Sequence, residues 1–397
     1  MNTTGKHRVL LIGDAVVSSG FARLNHAYVD GLVAAGWDVH VLALNYLGDP
    51  HKLKVPVYPC YGYAGGDAFG LKRTKELVER LRPDVVCVTN DPWNIPEYVK
   101  RIGNTPAVAS VAVDGLNCRG AGLNGLANAV FWTDFGLFQA RQGGFTGEAN
   151  VIPLGVDLDV YKPYRRSEVR DRLRLGALRD AFIVGVVGRN QPRKRLDLAL
   201  VYFAEWVRTH DVRDAYLFLH VGPTGDAGYD LEQLGRYLKI SNRLIISSPE
   251  MGLGVEERAL AEMYSAFDVM LSTTQGEGWG LTHMEGMACG VPQIVPDWSA
   301  LGEWAATAAW LVECSSVSCT PNDINVIGGV PDRGMTVAAL NHLYSDKAER
   351  ERLAGAGLEL VLQERYRWKN IGERFADVVK SVLTPKKLGV SPEVVTA

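Results

Sequence analysis

The feature that most constrains this chain is the order of its apolar runs. Residues 8–12 (RVLLI), 38–44 (DVHVLAL), 84–89 (DVVCVT) and 106–113 (PAVASVAV) are short and rich in β-branched residues, the pattern of strands buried on both faces of a parallel sheet. Between the first two, Phe21, Leu24, Tyr28 and Leu32 recur at helical spacing, and Gly36 ends the run. Strand, helix, strand in that order gives right-handed βαβ units and a doubly wound sheet. The alternation restarts after a Pro-bounded basic stretch at 152–166 (IPLGVDLDVYKPYRR), with strand runs at 181–187, 215–221, 243–246, 268–272 and 292–295. Helical runs near 194–209, 228–239, 255–266 and 280–289 lie between them. The chain therefore reads as two Rossmann-like α/β halves. Residues 313–333, rich in Ser, Pro, Gly and Asn, read as a long loop near the cleft; three helical segments follow, and the residues after Pro385 read as a loose tail.

With 397 residues, 47% of them apolar and 22% charged, there is material for two cores. A formal charge of −3 provides no global field for a polyanion. The cysteines are scattered; only Cys314 and Cys319 lie close together, without a second ligand pair, so we expect no zinc and a reducing cytoplasm. The leader MNTTGKHRVLLIGD lacks the length and cleavage site of a signal peptide. No apolar run approaches the roughly 18 residues that a membrane span needs. Leu71 to Arg82 is a basic amphipathic stretch that reads as a solvated helix face, or alternatively as a membrane-surface helix.

Sheets of this kind bind ligands outside the carboxyl ends of their strands. After the first strand, Ser18, Ser19 and Gly20 open a helix whose free N–H groups suit a phosphate, or simply cap and pack it. The G-x-G-x-x-G fingerprint of a dinucleotide site is absent, which argues against a dehydrogenase. After the first strand of the second half, GRNQPRKRLDL places Arg189 and Lys194 across a Pro-containing turn, where both can reach a diphosphate. Arg193 and Arg195 make the same loop a basic run, which is ordinarily a solvated feature. The segment QGEGWGLTHMEGMACGVP carries most information. Glu277 sits in a Gly-rich turn and Glu285 eight residues later, about one turn inside the next helix. Gly276, Gly278 and Gly280 let backbone approach a ligand, with the N–H groups of Trp279, Leu281 and Thr282 nearby. In SVAVDGLNCRG, Asp114 either handles an acceptor hydroxyl or caps its turn. Asp157 and Asp159 read as a turn rather than a metal pair, and His220 and His283 as packed or solvent-facing residues.

At these residues the chain resembles the nucleotide-sugar-dependent glycosyltransferases of the GT-B fold, in the retaining group called family 4. Glu277, Glu285 and the helix end Ala288-Cys289-Gly290-Val291-Pro292 match that family's paired glutamates and A-C-G-x-P, with Trp279 where Phe is usual. Gly188-Arg189 with Lys194 resembles its diphosphate clamp, IPLGVDLDVYKP its interdomain signature with Leu154 in place of His, and Tyr366-Arg367-Trp368 its crossover aromatics. Val113-Asp114 stands where the family often has His-Asp. The resemblance runs from about Arg8 to Leu383.

The resemblance implies two Rossmann-like doubly wound domains facing across a cleft: an acceptor-side domain at 1–155 and a nucleotide-sugar donor domain at 156–366. A helix at 367–384 would return to the first domain, with a tail at 385–397. It implies transfer of a sugar from a nucleotide-diphosphate sugar to a hydroxyl acceptor, with retention and without metal or other cofactor. Arg189 and Lys194 would bind the diphosphate, Glu277 the sugar hydroxyls and Glu285 the ribose. Gly20 would add an amide, and Ile246, Ser247 and Ser248 would meet the base. The acceptor is open: a small molecule or glycan is favoured, and a hydroxymethylated DNA base is the alternative, for which Lys162, Arg165, Arg166, Arg170, Arg172 and Arg174 form the one local basic patch. A GT-B epimerase, a phosphorylase and a non-catalytic relative are the remaining alternatives.

Overall fold

Continuous β-branched runs do become the buried strands of parallel sheets in the computed structural model. It describes residues 5–383 apart from 18, 47, 49, 63–64, 222–227, 248–254 and 321–325. The first sheet consists of β1 (Arg8–Asp14), β2 (Asp38–Leu44), β3 (Val57–Pro59), β4 (Val85–Asn90), β5 (Ala107–Val111), β6 (Asn128–Phe131) and β7 (Ala149–Val151). Its order is β3-β2-β1-β4-β5-β6-β7, and all pairs are parallel. The second sheet has β8 (Phe182–Gly188), β9 (Ala215–Val221), β10 (Leu244–Ser247), β11 (Val269–Leu271), β12 (Gln293–Pro296) and β13 (Trp310–Val312), in the parallel order β10-β9-β8-β11-β12-β13. In each, the first strand of the half pairs with both its second and its fourth, so the strand order reverses there and opens a crevice at the carboxyl ends. These are the two doubly wound sheets that the alternation required. Among the described residues, no helix is long and apolar enough to cross a membrane.

Residues 313–333 depart from the expected loop. β14 (Cys314–Cys319) and β15 (Ile327–Pro331) form an antiparallel pair. Turn-forming composition hid it, because Ser and Gly here serve a ribbon docked on the other half: Leu116 N–H donates to the Ile327 carbonyl at 2.8 Å.

The last helix returns to the first domain. Helix α1 (Gly20–Ala34) packs on α13 (Trp368–Ser381), and the buried rings of Tyr28 and Phe375 stack at 3.6 Å. The crossing is close because two glycines face each other: a Cβ on Gly31 would lie 2.2 Å from the Gly372 carbonyl carbon. Gly31→Val therefore has no room without separating the helices. It is expected to lower stability by about 3 kcal/mol or more, read as a reduced urea midpoint; an unchanged midpoint would refute this packing.

The six-residue basic patch does not present itself to solvent as a unit. Arg170, on α5 (Arg166–Arg172), is 2% exposed and donates to backbone carbonyls and Asp268. Arg166 pairs with the same Asp268 at 2.7 Å, Arg172 with Glu262 at 3.2 Å and Arg165 with Glu168 at 3.1 Å. Counter-charges three residues away or about a hundred residues away pair with Arg165, Arg166, Arg170 and Arg172, so this cluster is a structural anchor and not a track for a nucleic-acid backbone.

Candidate active site

The loops after β8 and β11 meet at the crevice of the second sheet. Val186 to Arg189, Lys194, Leu271 to Thr274, Glu277 and His283 line a cavity there. A short turn at Pro192–Lys194 carries two cations inward. Lys194 Nζ donates to Glu277 Oε1, and Arg193 NH1 to Glu277 Oε2 at 3.0 Å and to the Gly276 carbonyl at 2.8 Å. Burial alone would raise the Glu277 carboxyl, but Lys194 and Arg193 outweigh it and hold the group well below the usual carboxylate range. Burial in turn lowers the Lys194 ammonium against the pull of Glu277. The turn is therefore a compact cation–anion–cation node, with exposed Arg189 beside it at the cavity wall.

Arg193 also crosses the cleft, with Nε 3.2 Å from Asp114 Oδ2 in the loop after β5. Neither reading of Asp114 anticipated this ion pair, and Arg193 itself had been grouped with solvated charge. Its signal was one of position: three residues into a turn that aims back at the sheet. Close approach fixes the same contact in the backbone, since a Cβ on Gly276 would lie 1.8 Å from the Asp114 carbonyl oxygen. Gly278 faces the Asp114 carboxylate and Trp132.

Glu285 lies on α9 (Leu281–Ala288) and is 2% exposed. Arg23, from α1 of the first domain, donates to its Oε1, and Tyr264, from α8 (Glu257–Ser265), donates to its Oε2 at 2.7 Å. Arg23 also reaches Glu257 at 3.0 Å. Sequence reasoning missed Arg23 and Tyr264, because the first contact spans 262 residues of chain.

The remaining candidates lie on several elements. Ser19 caps α1 through the Ala22 N–H and donates to Asp14, while Gly20 abuts Leu281, the first residue of α9. Leu281 and Thr282 thus open one helix N-terminus opposite another. The Trp279 side chain is buried against Trp304, stacked at 5.3 Å, so only its backbone faces the turn. Ser247 lies 3.2 Å from His220, Ile246 is 37% exposed on the outer strand β10, and Ser248 lies outside the described residues. His283 is buried, hydrogen-bonded to Gln293 at 2.8 Å, and kept neutral chiefly by burial. Among the described residues, no group of three or more His, Cys, Asp or Glu is placed to hold a metal ion.

On the first sheet's side, a second cavity is lined by Pro92, Trp93, Ala112 to Arg119 and Val326 beside the ribbon. Asp91, at the end of β4 beside it, is pushed up to about 7 by burial and by neighbouring Asp114, with Arg193 opposing. Nothing in the sequence flagged this carboxyl, whose character comes from neighbours supplied by other loops.

Residues 170–318 match the family described as glycosyl transferases group 1. A D-inositol 3-phosphate glycosyltransferase of Geodermatophilus obscurus is 37% identical over 149 residues, covering 36% of this chain and 32% of that protein. A protein of the same name from Acidothermus cellulolyticus is 26% identical over 261 residues, covering 64% and 53%. The chain thus spans about a third to a half of the length of these curated relatives. Among solved structures, sucrose-phosphate synthase from Thermosynechococcus elongatus superposes with a TM-score of 0.73 at 19% identity, covering 95% of this chain and 99% of that one. Anabaena HepE in complex with UDP-glucose gives 0.69 at 17% identity, covering 94% and 99%. At such identities these likenesses show the fold, which is GT-B.

Proposed function

We propose that this GT-B chain, whose residues 170–318 match the glycosyl transferases group 1, moves a sugar from a nucleotide-diphosphate sugar to a hydroxyl acceptor. The observation that carries the proposal is the node of Lys194, Arg193 and Glu277 at the crevice of the second sheet, with Arg189 on the same wall. A leaving nucleotide diphosphate gains negative charge as the glycosidic bond breaks. Two cations at fixed positions stabilise that charge more than they stabilise the bound donor, which is the differential binding catalysis requires. Glu277, anionic between them, accepts hydrogen bonds from the transferred sugar, and Glu285 accepts those of the ribose. The N–H groups that open α1 and α9 face each other across the cleft and suit the phosphates. UDP-glucose, the ligand named for the Anabaena protein, is the first donor to test.

The acceptor lies on the first domain, in the cavity beside Trp93 and Asp114. A small polyol or glycan is the acceptor class proposed, and the relatives' name makes an inositol phosphate the first acceptor to try. A DNA acceptor loses its physical support with the basic cluster neutralised. Retention of anomeric configuration rests on the resemblance alone.

Side chains, rather than a metal, carry the diphosphate in this proposal. Turnover of UDP-glucose, followed by released nucleotide and by product mass, is expected to keep nearly its full rate in EDTA. Loss of most activity in EDTA, restored by Mg²⁺ or Mn²⁺, would overturn the clamp; absence of turnover with every nucleotide sugar and acceptor tried would overturn the function.

A further inference from the structure

Glu285 is the more deeply enclosed of the two glutamates, and its surroundings come from both domains. Arg23 from α1 and Tyr264 from α8 each donate to one of its oxygens. The Arg23 guanidinium sits 5.8 Å from the centre of the Tyr161 ring and also bonds Glu257. Tyr161 is buried, and among the described residues its hydroxyl has no hydrogen-bond partner. Among the described residues, the charged or titratable groups facing Glu285 are Arg23, Glu257, Tyr264, Tyr161 and, at the end of its own helix, Cys289. Arg23 is the one cation among them.

An ionised carboxylate offers about four lone-pair positions. Arg23 and Tyr264 use one on each oxygen, leaving two, the number that the vicinal hydroxyls of a ribose require. A protonated carboxyl would instead present a donor and lose acceptor capacity. We propose that Arg23 is a positioning residue for nucleotide binding: reaching across from the first domain, it keeps Glu285 oriented and ionised as the acceptor of both ribose hydroxyls, so that nucleotide affinity in the second domain depends on α1 being docked. This rests on the reading of Glu285 as the ribose contact.

The electrostatic balance supports the assignment. Burial raises the Glu285 carboxyl, Arg23 is the first influence that opposes the rise, and Glu257 adds to it. Removing Arg23 leaves only the Tyr264 hydrogen bond to oppose burial and Glu257, and the carboxyl moves further up. Nucleotide binding then recovers as pH rises and Glu285 regains its charge, to a greater extent than in the native protein, where Arg23 opposes the rise.

The experiment is calorimetric titration of the full chain with UDP, GDP and ADP, which share the ribose diphosphate, at pH 7 and pH 9. Arg23→Gln is expected to weaken binding about 10-fold at pH 7, the scale of one charge-assisted hydrogen bond, and to recover part of that loss at pH 9. Glu285→Gln weakens binding at both pH values, and the double variant binds like Glu285→Gln alone. Arg23→Lys, which keeps the charge and serves if the glutamine variant fails to fold, stays within about 3-fold of the native protein at both pH values. Native affinity in Arg23→Gln, an equal loss at both pH values, additivity in the double variant, or complete loss of binding in Arg23→Lys overturns the proposal. If Glu285→Gln itself binds like the native protein, the ribose reading fails; if none of the three nucleotides binds the native chain, the proposed function fails with it.

Discussion

Glu277→Ala is expected to lower kcat by about 100-fold or more, roughly 2.7 kcal/mol of transition-state stabilisation, with a smaller change in donor affinity. The carboxylate lies between Lys194 and Arg193, so it sets the position of both cations as well as contacting the sugar. Its loss moves the charges that meet the departing diphosphate, and a displacement of that kind acts on the chemical step. Glu285→Ala should behave differently. A ribose contact is made alike in ground and transition states, so the donor KM should rise by something like 10 to 100-fold, for a charge-assisted bond of about 1.5 to 3 kcal/mol, and kcat should largely survive. Steady-state kinetics of both variants, after circular dichroism confirms folding, decides between them. A near-native kcat in Glu277→Ala, or the two phenotypes reversed, contradicts the placement of the sugar against the turn.

Arg170→Ala carries the largest expected effect on stability. The guanidinium is buried and donates to the Ala266, Arg179 and Ala181 carbonyls at 2.8 to 3.0 Å and to Asp268 at 2.7 Å, while Asp268 also accepts the Ile183 N–H at 2.8 Å. Truncation removes the fork but leaves Asp268 and the carbonyls enclosed, and a buried charge that loses its partner costs about 3 to 5 kcal/mol. Because α5 and β11 meet at this point, the unfolding midpoint in urea should fall for the whole second domain. A loss under about 1 kcal/mol would mean that water replaces the side chain.

The strands at the centre of both sheets were legible because burial on two faces leaves an unbroken apolar run, as in Val9 to Ile12 or Phe182 to Val186. The short outer strands were not. Val57–Pro59, Ala149–Val151 and Trp310–Val312 are three residues long and only partly covered, too brief for any periodicity to register. The ribbon of β14 and β15 exposes much of its Ser-rich strand, and its pairing depends on docking beside Leu116, a contact no local pattern encodes.

In the site, Arg189, Lys194 and Glu277 line one crevice and Glu285 lies on the helix that follows, as segments whose spacing is visible in the sequence. Their partners from elsewhere were not legible. Arg193 looked like one more member of a basic run until Asp114 met it from the other sheet, and Arg23 looked like the polar face of α1 until Glu285 closed on it. Charge composition tells how many cations a loop has; only the fold tells which of them already has a carboxylate. The same principle reversed the reading of the basic patch around Arg170.

The measurement that bears most directly on the central claim is the structure of the crystallised protein with UDP bound. The diphosphate is expected against Lys194 and Arg189, facing the opening turn of α1, with both ribose hydroxyls on Glu285. A diphosphate seated elsewhere, or a ribose turned away from Glu285, would contradict the account of this cleft as a nucleotide-sugar site.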